Sequence, residues 1–149
     1  MFRLEAEVDK ERRALISERL HGSNAARSPV MRALRGTPAD EEVPLHVFAL
    51  DDSGEVVGGL IGYTWAHWLH VDLLWIDERQ RGSGLGSALM SRAEKIARDE
   101  RHCVHARVET WDFQAPGFYQ KLGYTIVGTV EEYPPGATDY LLVKPLTGG

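Results

Sequence analysis

Apolar residues near the start of the chain recur at helical spacing. Val8, Leu15, Ile16 and Leu20 can share one face, with Glu11, Arg12, Glu18 and Arg19 mostly on the other. This predicts a helix over residues 9–21, stopped by Gly22 and Asn24. Residues 23–44 hold few large apolar side chains and carry Pro29, Pro38 and Pro44. Val30, Met31 and Leu34 support one short helix there, and the stretch is expected to be mobile or to border a substrate site. Residues 45–50 read as a strand, Asp51-Asp52-Ser53-Gly54 as a turn, and residues 55–65 as a second strand. Gly58, Gly59 and Gly62 lie inside that second strand, where glycine marks a bulge or a close backbone approach. Residues 69–76 are apolar nearly throughout, the pattern of a central strand buried on both faces.

A helical period follows over residues 84–99. Leu85, Leu89, Ala93, Ile96 and Ala97 form its inward stripe, with Glu94, Lys95 and Arg98 mostly outward. Residues 104–110 alternate as a strand, and residues 115–122 form a short helix ended by Gly123. Residues 124–131 and 140–144 are strands separated by Tyr133-Pro134-Pro135-Gly136. Strands joined by short turns pair antiparallel. The strand–helix–strand unit over residues 69–110 requires a parallel pair with a right-handed crossover. The expected fold is a single α/β domain over residues 1–149, with a mixed, mostly antiparallel sheet flanked by helices.

Composition narrows the function classes. The net charge of −5 argues against a nucleic-acid-binding surface and mildly favours a cationic partner. Cys103 is the only cysteine, so no intramolecular disulfide forms, which suits a reducing compartment. It reads as a small buried apolar residue. No apolar run approaches the roughly 20 residues of a membrane span, and the first residues lack a signal-peptide pattern, so the expected location is cytoplasmic. The six histidines show no metal-ligand spacing, so no metal is expected.

The chemistry concentrates in Arg81-Gly82-Ser83-Gly84-Leu85-Gly86, between an apolar strand and an apolar-periodic helix. Three glycines free the backbone for tight geometry, and the helix start directs unpaired N–H groups and a positive dipole end at the loop. Such a loop cradles an anion, most often phosphate. Gly-x-Gly-x-x-Gly fails in both registers, because Ser87 or Leu89 occupies the last place, and no Gly-Lys-Ser/Thr run exists.

The loop matches the Gln/Arg-x-x-Gly-x-Gly/Ala signature of the GCN5-related N-acetyltransferase family. The preceding strand, Leu73-Leu74-Trp75-Ile76-Asp77-Glu78, also resembles that family. So does the run from Asp112 through Ala115 to Phe118-Tyr119-Gln120-Lys121-Leu122-Gly123-Tyr124, apart from Asp112, which stands where many members have Asn. The resemblance implies a strand pair that splays to admit acetyl-CoA as co-substrate, and direct acetyl transfer to an amine. Backbone N–H groups of Gly82, Gly84, Leu85 and Gly86 would hold the pyrophosphate, aided by Ser83, Ser87 and Arg81. Leu74, Trp75 and Ile76 would pair with the pantetheine arm, with Phe118 and Tyr119 also bordering the cofactor. An N–H near Trp75 or Ile76 would meet the thioester oxygen. Tyr119 matches the tyrosine that resembling enzymes use as general acid toward the sulfur.

The attacking amine must lose a proton. Asp72 and Glu109, and after them His70, are ionisable groups on strands where apolar side chains are the rule, and each is a candidate base or amine anchor. Structural hydrogen bonding is the competing account of all three. Trp65, Trp68 and Trp75 either pack the sheet or line an acceptor pocket. An acyl-CoA-binding regulatory module without transfer activity is the alternative function. Homodimers are common in the family, and no feature of the sequence reads on them. The acceptor itself is not written in these motifs.

Overall fold

The computed structural model describes residues 1–146. The chain divides into two compact units, Met1–Asp40 and Glu41–Gly149.

In the first unit, α1 spans Lys10–Arg27 and α2 spans Pro29–Leu34. Asp9 caps α1 by accepting from the Arg12 N–H at 2.9 Å. The predicted stop at Gly22 is passed, because one glycine costs a helix only about 1 kcal/mol. The chain turns at Ser28 instead, where the following Pro29 forces an extended backbone (φ −128°, ψ 118°). Ser28 then caps α2 through its side chain. Arg32 donates to the Ala25 and Ala26 carbonyls, and Arg35 pairs with Glu18 at 2.6 Å, fastening α2 to α1. Residues 23–34 are thus mostly helical, where the sparse apolar pattern predicted one short helix at most.

The second unit is a six-stranded sheet flanked by helices. Its strands are β1 (Val43–Leu50), β2 (Val56–Trp65), β3 (Trp68–Ile76), β4 (His105–Trp111), β5 (Thr125–Val130) and β6 (Asp139–Pro145). Their spatial order is β1-β2-β3-β4-β6-β5, with β3–β4 the one parallel pair. The crossover between β3 and β4 is α3 (Leu85–Arg101), which packs on β1, β2 and β3. The short α4 (Pro116–Lys121) lies against β5. Leu89, Met90, Ala93 and Ala97 of α3 close on Leu60, Leu69, Ala106 and Leu142 of the sheet to form the core, which Cys103 joins.

Glu94 departs from the predicted outward face of α3. It is 8% exposed, accepts from the Tyr124 hydroxyl at 2.8 Å and pairs with Lys144 Nζ at 2.7 Å. A buried carboxylate persists only with such partners.

The second departure shapes the site. β3 is buried only in its first half, at Leu69 and Val71, while Leu73 is 64% and Trp75 54% exposed. The cause is a β-bulge. Gly62 of β2 pairs with Val71 but Ile61 pairs with Leu73, leaving Asp72 as the extra residue. Beyond it, the side chains that share the face of core residue Leu60 are Leu74 and Ile76 rather than Leu73 and Trp75. Gly62 is required here, because a Cβ would collide with the His70 carbonyl oxygen.

Candidate active site

Parallel pairing of β3 with β4 runs from Trp68/His105 to Val71/Val108 and stops at the bulge. The strands part, and a cavity of about 870 Å³ opens between them. Its walls include β3 from Val71 to Ile76, β4 from Val108 to Trp111, the glycine loop with the start of α3, and Phe118 and Tyr119 of α4. On this side, β3 beyond Val71 has no strand neighbour among the described residues. Its backbone edge is available for pairing.

Gly82 and Gly84 hold left-handed conformations, with φ of +80° and +82°. Gly84 caps α3 without a side-chain hydrogen bond, and the first helical bond runs from the Ala88 N–H to the Gly84 carbonyl. The N–H groups of Leu85, Gly86 and Ser87 therefore have no backbone acceptor among the described residues. With the helix dipole behind them, they make an anion cradle. Arg81 lines the cavity and makes no ion pair among the described residues. Gly86 also lets the Phe118 ring approach, since a Cβ there would lie 3.1 Å from it.

Nearly every residue expected at the site lines this cavity: Asp72, Leu74, Trp75, Ile76, Arg81, Gly82, Gly84, Leu85, Gly86, Ser87, Glu109, Phe118 and Tyr119. Ser83 does not. Its hydroxyl turns back to donate to the Gln80 carbonyl. Asp112 is exposed and outside the lining, which removes the conflict of an acid beside a polyanion. Trp68 stacks on His105 at 4.6 Å, away from the cavity; of the three tryptophans singled out, Trp75 alone lines it.

Sequence reasoning missed Gln80, Trp111, Phe113 and Gln114 in the lining. Gln114 accepts from the Trp111 N–H (3.0 Å) and the Thr110 hydroxyl (3.1 Å), bracing the turn into α4. The Trp111 indole N–H donates to the Tyr133 carbonyl, and its ring lies nearly parallel to those of Phe113 and Tyr133. A run of aromatic residues either side of Asp112 was the available signal.

Tyr119 is 6% exposed, and burial pushes its hydroxyl pKa up to about 12. That hydroxyl has no protein hydrogen-bond partner among the described residues. Asp72 and Glu109 are exposed rather than buried; the bulge turns Asp72 out of the core. Both also line a smaller chamber of about 220 Å³, with Tyr63, His70, Val71, Arg107 and Val108. His70 stacks flat on Tyr63 at 4.5 Å, and burial, then the Arg107 charge, holds its pKa below the ordinary value. Asp139 is buried near Glu109. Burial, followed by the Glu109 charge, raises its pKa.

A splayed parallel pair beside an uncapped glycine-rich helix start suits a pyrophosphate carrying an extended arm. The model of the acetyltransferase (GNAT) family matches residues 13–124. The chain belongs to the GNAT acetyltransferase family. It is 54% identical over 131 residues to a blasticidin-S acetyltransferase of Streptomyces morookaense, covering 86% of this chain and 96% of that one. The crystal structure of a Bacillus cereus acetyltransferase superposes with a TM-score of 0.81 at 28% identity, over 96% of this chain and 97% of the other. A Bacillus anthracis structure in complex with acetyl coenzyme A shares the fold, with a TM-score of 0.62 at 18% identity over 76% of this chain and 66% of that one. This GNAT protein is an acetyl-CoA-dependent N-acetyltransferase. Nothing among its relatives supports a regulatory module without transfer activity. The free N–H groups at the start of α3 and the open edge of β3 fit the co-substrate, which supplies the acetyl group as an activated thioester.

Proposed function

We propose that the acceptor is the amine of a small molecule, that blasticidin S is the first compound to test, and that transfer takes place where β3 and β4 part. The observation that carries this reading is the meeting of two spaces. The cleft beside the glycine loop joins the smaller polar chamber through shared walls at Val71, Asp72, Val108 and Glu109. One space suits the donor and the other a compact polar acceptor. The near full-length relative named for blasticidin S supports the choice of compound.

Each wall has a task. The N–H groups of Gly82, Gly84, Leu85, Gly86 and Ser87, with Arg81, hold the pyrophosphate. The edge of β3 over Leu74–Ile76 pairs with the amides of the pantetheine arm, as an added strand would. A backbone N–H near Trp75 or Ile76 meets the thioester oxygen as charge develops there. Glu109 or Asp72 accepts the proton that the acceptor's ammonium must lose before its nitrogen attacks. As the C–N bond forms and the C–S bond breaks, Tyr119 gives its hydroxyl proton to the departing sulfur, and the second proton shed by the nitrogen restores the tyrosine. Burial keeps that proton on the hydroxyl until negative charge develops on the sulfur.

Thiol release from acetyl-CoA is the test, with blasticidin S beside a panel of primary amines and a lysine peptide. Turnover of blasticidin S or another small amine well above the peptide is expected. Preference for the peptide would overturn the small-molecule reading. Asp72→Asn and Glu109→Gln then separate the base from its neighbour, since the base variant alone loses the acidic limb of the pH–rate profile.

A further inference from the structure

We propose that the chamber lined by Tyr63, His70, Asp72, Arg107 and Glu109 reads a carboxylate on the acceptor, so that the preferred amines carry a carboxylate close to the reacting nitrogen. The inference rests on the small-molecule reading only for the amine; the carboxylate site stands on Arg107.

Arg107 is the one cationic side chain in the chamber wall. Its nearest carboxylate oxygen, on Glu109, is 3.7 Å away, beyond hydrogen-bond range. Its side chain is 37% exposed, and none of its five N–H donors has a hydrogen-bond partner among the described residues. A partly exposed ion pair at that distance contributes under about 1 kcal/mol, so Glu109 leaves the fork of the guanidinium open to a ligand. A ligand carboxylate would satisfy the fork with two parallel charge-assisted bonds.

The neighbours complete the pattern. Asp72 and Glu109 stand at the junction with the cleft, on the path to the acetyl group, and suit an ammonium. His70 lies flat against Tyr63, and burial together with the Arg107 charge disfavours its protonation. It therefore adds a flat neutral wall rather than a second cation. The chamber thus offers negative charge toward the cleft and positive charge away from it, the complement of a zwitterion. Its 220 Å³ equals about seven waters of liquid volume, room for an amino-acid-sized head with the remainder of the molecule outside.

The test is a titration of the full-length enzyme, saturated with coenzyme A and followed by the 15N-labelled arginine Nε–H resonances. The Arg107 signal is identified by its loss in Arg107→Gln. β-Alanine is expected to move that signal saturably, with at least about tenfold tighter binding than β-alaninamide. Arg107→Lys, which keeps the charge but not the fork, should lose most of the preference and serves if the glutamine variant does not fold. Equal binding of the two probes, or no saturable movement with β-alanine, overturns the inference. A carboxylate preference at Arg107 without thiol release from any small amine would sink the small-molecule reading and leave this site standing. Turnover without the preference would do the reverse.

Discussion

Replacing Tyr119 by Phe removes one oxygen and leaves the ring. The hydroxyl has no protein hydrogen-bond partner among the described residues, so its loss orphans nothing. The ring keeps its edge contacts with Phe118 and Tyr124, at 5.0 and 5.9 Å. Stability should therefore stay within about 0.5 kcal/mol of the wild type. The chemical step should not. A positioned general acid contributes about 10²–10⁴ in rate, or roughly 3–5 kcal/mol of barrier. Acetyl-CoA affinity, on the proposal that the glycine loop and the edge of β3 carry it, should change by less than about threefold, under 1 kcal/mol. Steady-state thiol release gives kcat, and calorimetry gives the acetyl-CoA dissociation constant. Burial adds a second signature. With its pKa at about 12, Tyr119 keeps its proton two pH units beyond an ordinary tyrosine, about 3 kcal/mol in favour of the neutral form. The wild-type profile should accordingly show no basic limb near pH 10 from this residue. An unchanged kcat, or equal losses in kcat and affinity, would each refute the acid role, and a limb near pH 10 moved by the substitution would refute the raised pKa.

Gly62→Ala places a methyl group against the His70 carbonyl. It should cost at least about 2 kcal/mol in urea unfolding and weaken acetyl-CoA binding by distorting the bulge. Asp139 has a folded pKa raised above 3.8 by burial and by Glu109, so the folded state holds its proton longer than the unfolded one. Stability then falls as pH climbs from 3.8 through the folded value, and Asp139→Asn should raise the thermal midpoint at pH 7 and flatten that slope; a lower midpoint at pH 7 would contradict this. Tyr124→Phe takes one of two partners from buried Glu94, and calorimetry should show a loss of about 2 kcal/mol, or roughly 4–8 °C.

What could be read from the sequence was whatever depends on local geometry. The Arg81–Gly86 loop was legible because left-handed backbone and free N–H groups demand glycine just ahead of a helix. Tyr119 came from its setting in Phe118-Tyr119-Gln120-Lys121, and the structure places it on the cavity wall. Features fixed by distant partners were not legible. Glu94 looks outward on any helical wheel, yet its partners Tyr124 and Lys144 lie 30 and 50 residues away. Gly62 hinted at a bulge, but nothing local shows that the extra residue falls on the opposite strand, at Asp72. Asp72 therefore read as a buried carboxylate when the bulge exposes it. Arg107 could not be singled out, since an arginine without hydrogen-bond partners is a property of three assembled strands.

That extra residue has a consequence of its own. Because Asp72 is unmatched in the ladder, the two halves of β3 run in opposite phase, one facing the core through Leu69 and Val71, the other through Leu74 and Ile76. The cleft between β3 and β4 is thus specified by a count of residues as much as by their identities. A scan that swaps side chains one at a time would find β3 tolerant at Leu73 or Trp75 and overlook this. Deleting Asp72 would give the strand one phase, with Leu69, Val71, Leu74 and Ile76 inward and Leu73 and Trp75 still outward, and would remove the bulge at which the pairing with β4 stops. The chain would keep its composition almost intact and lose the opening proposed to receive the donor.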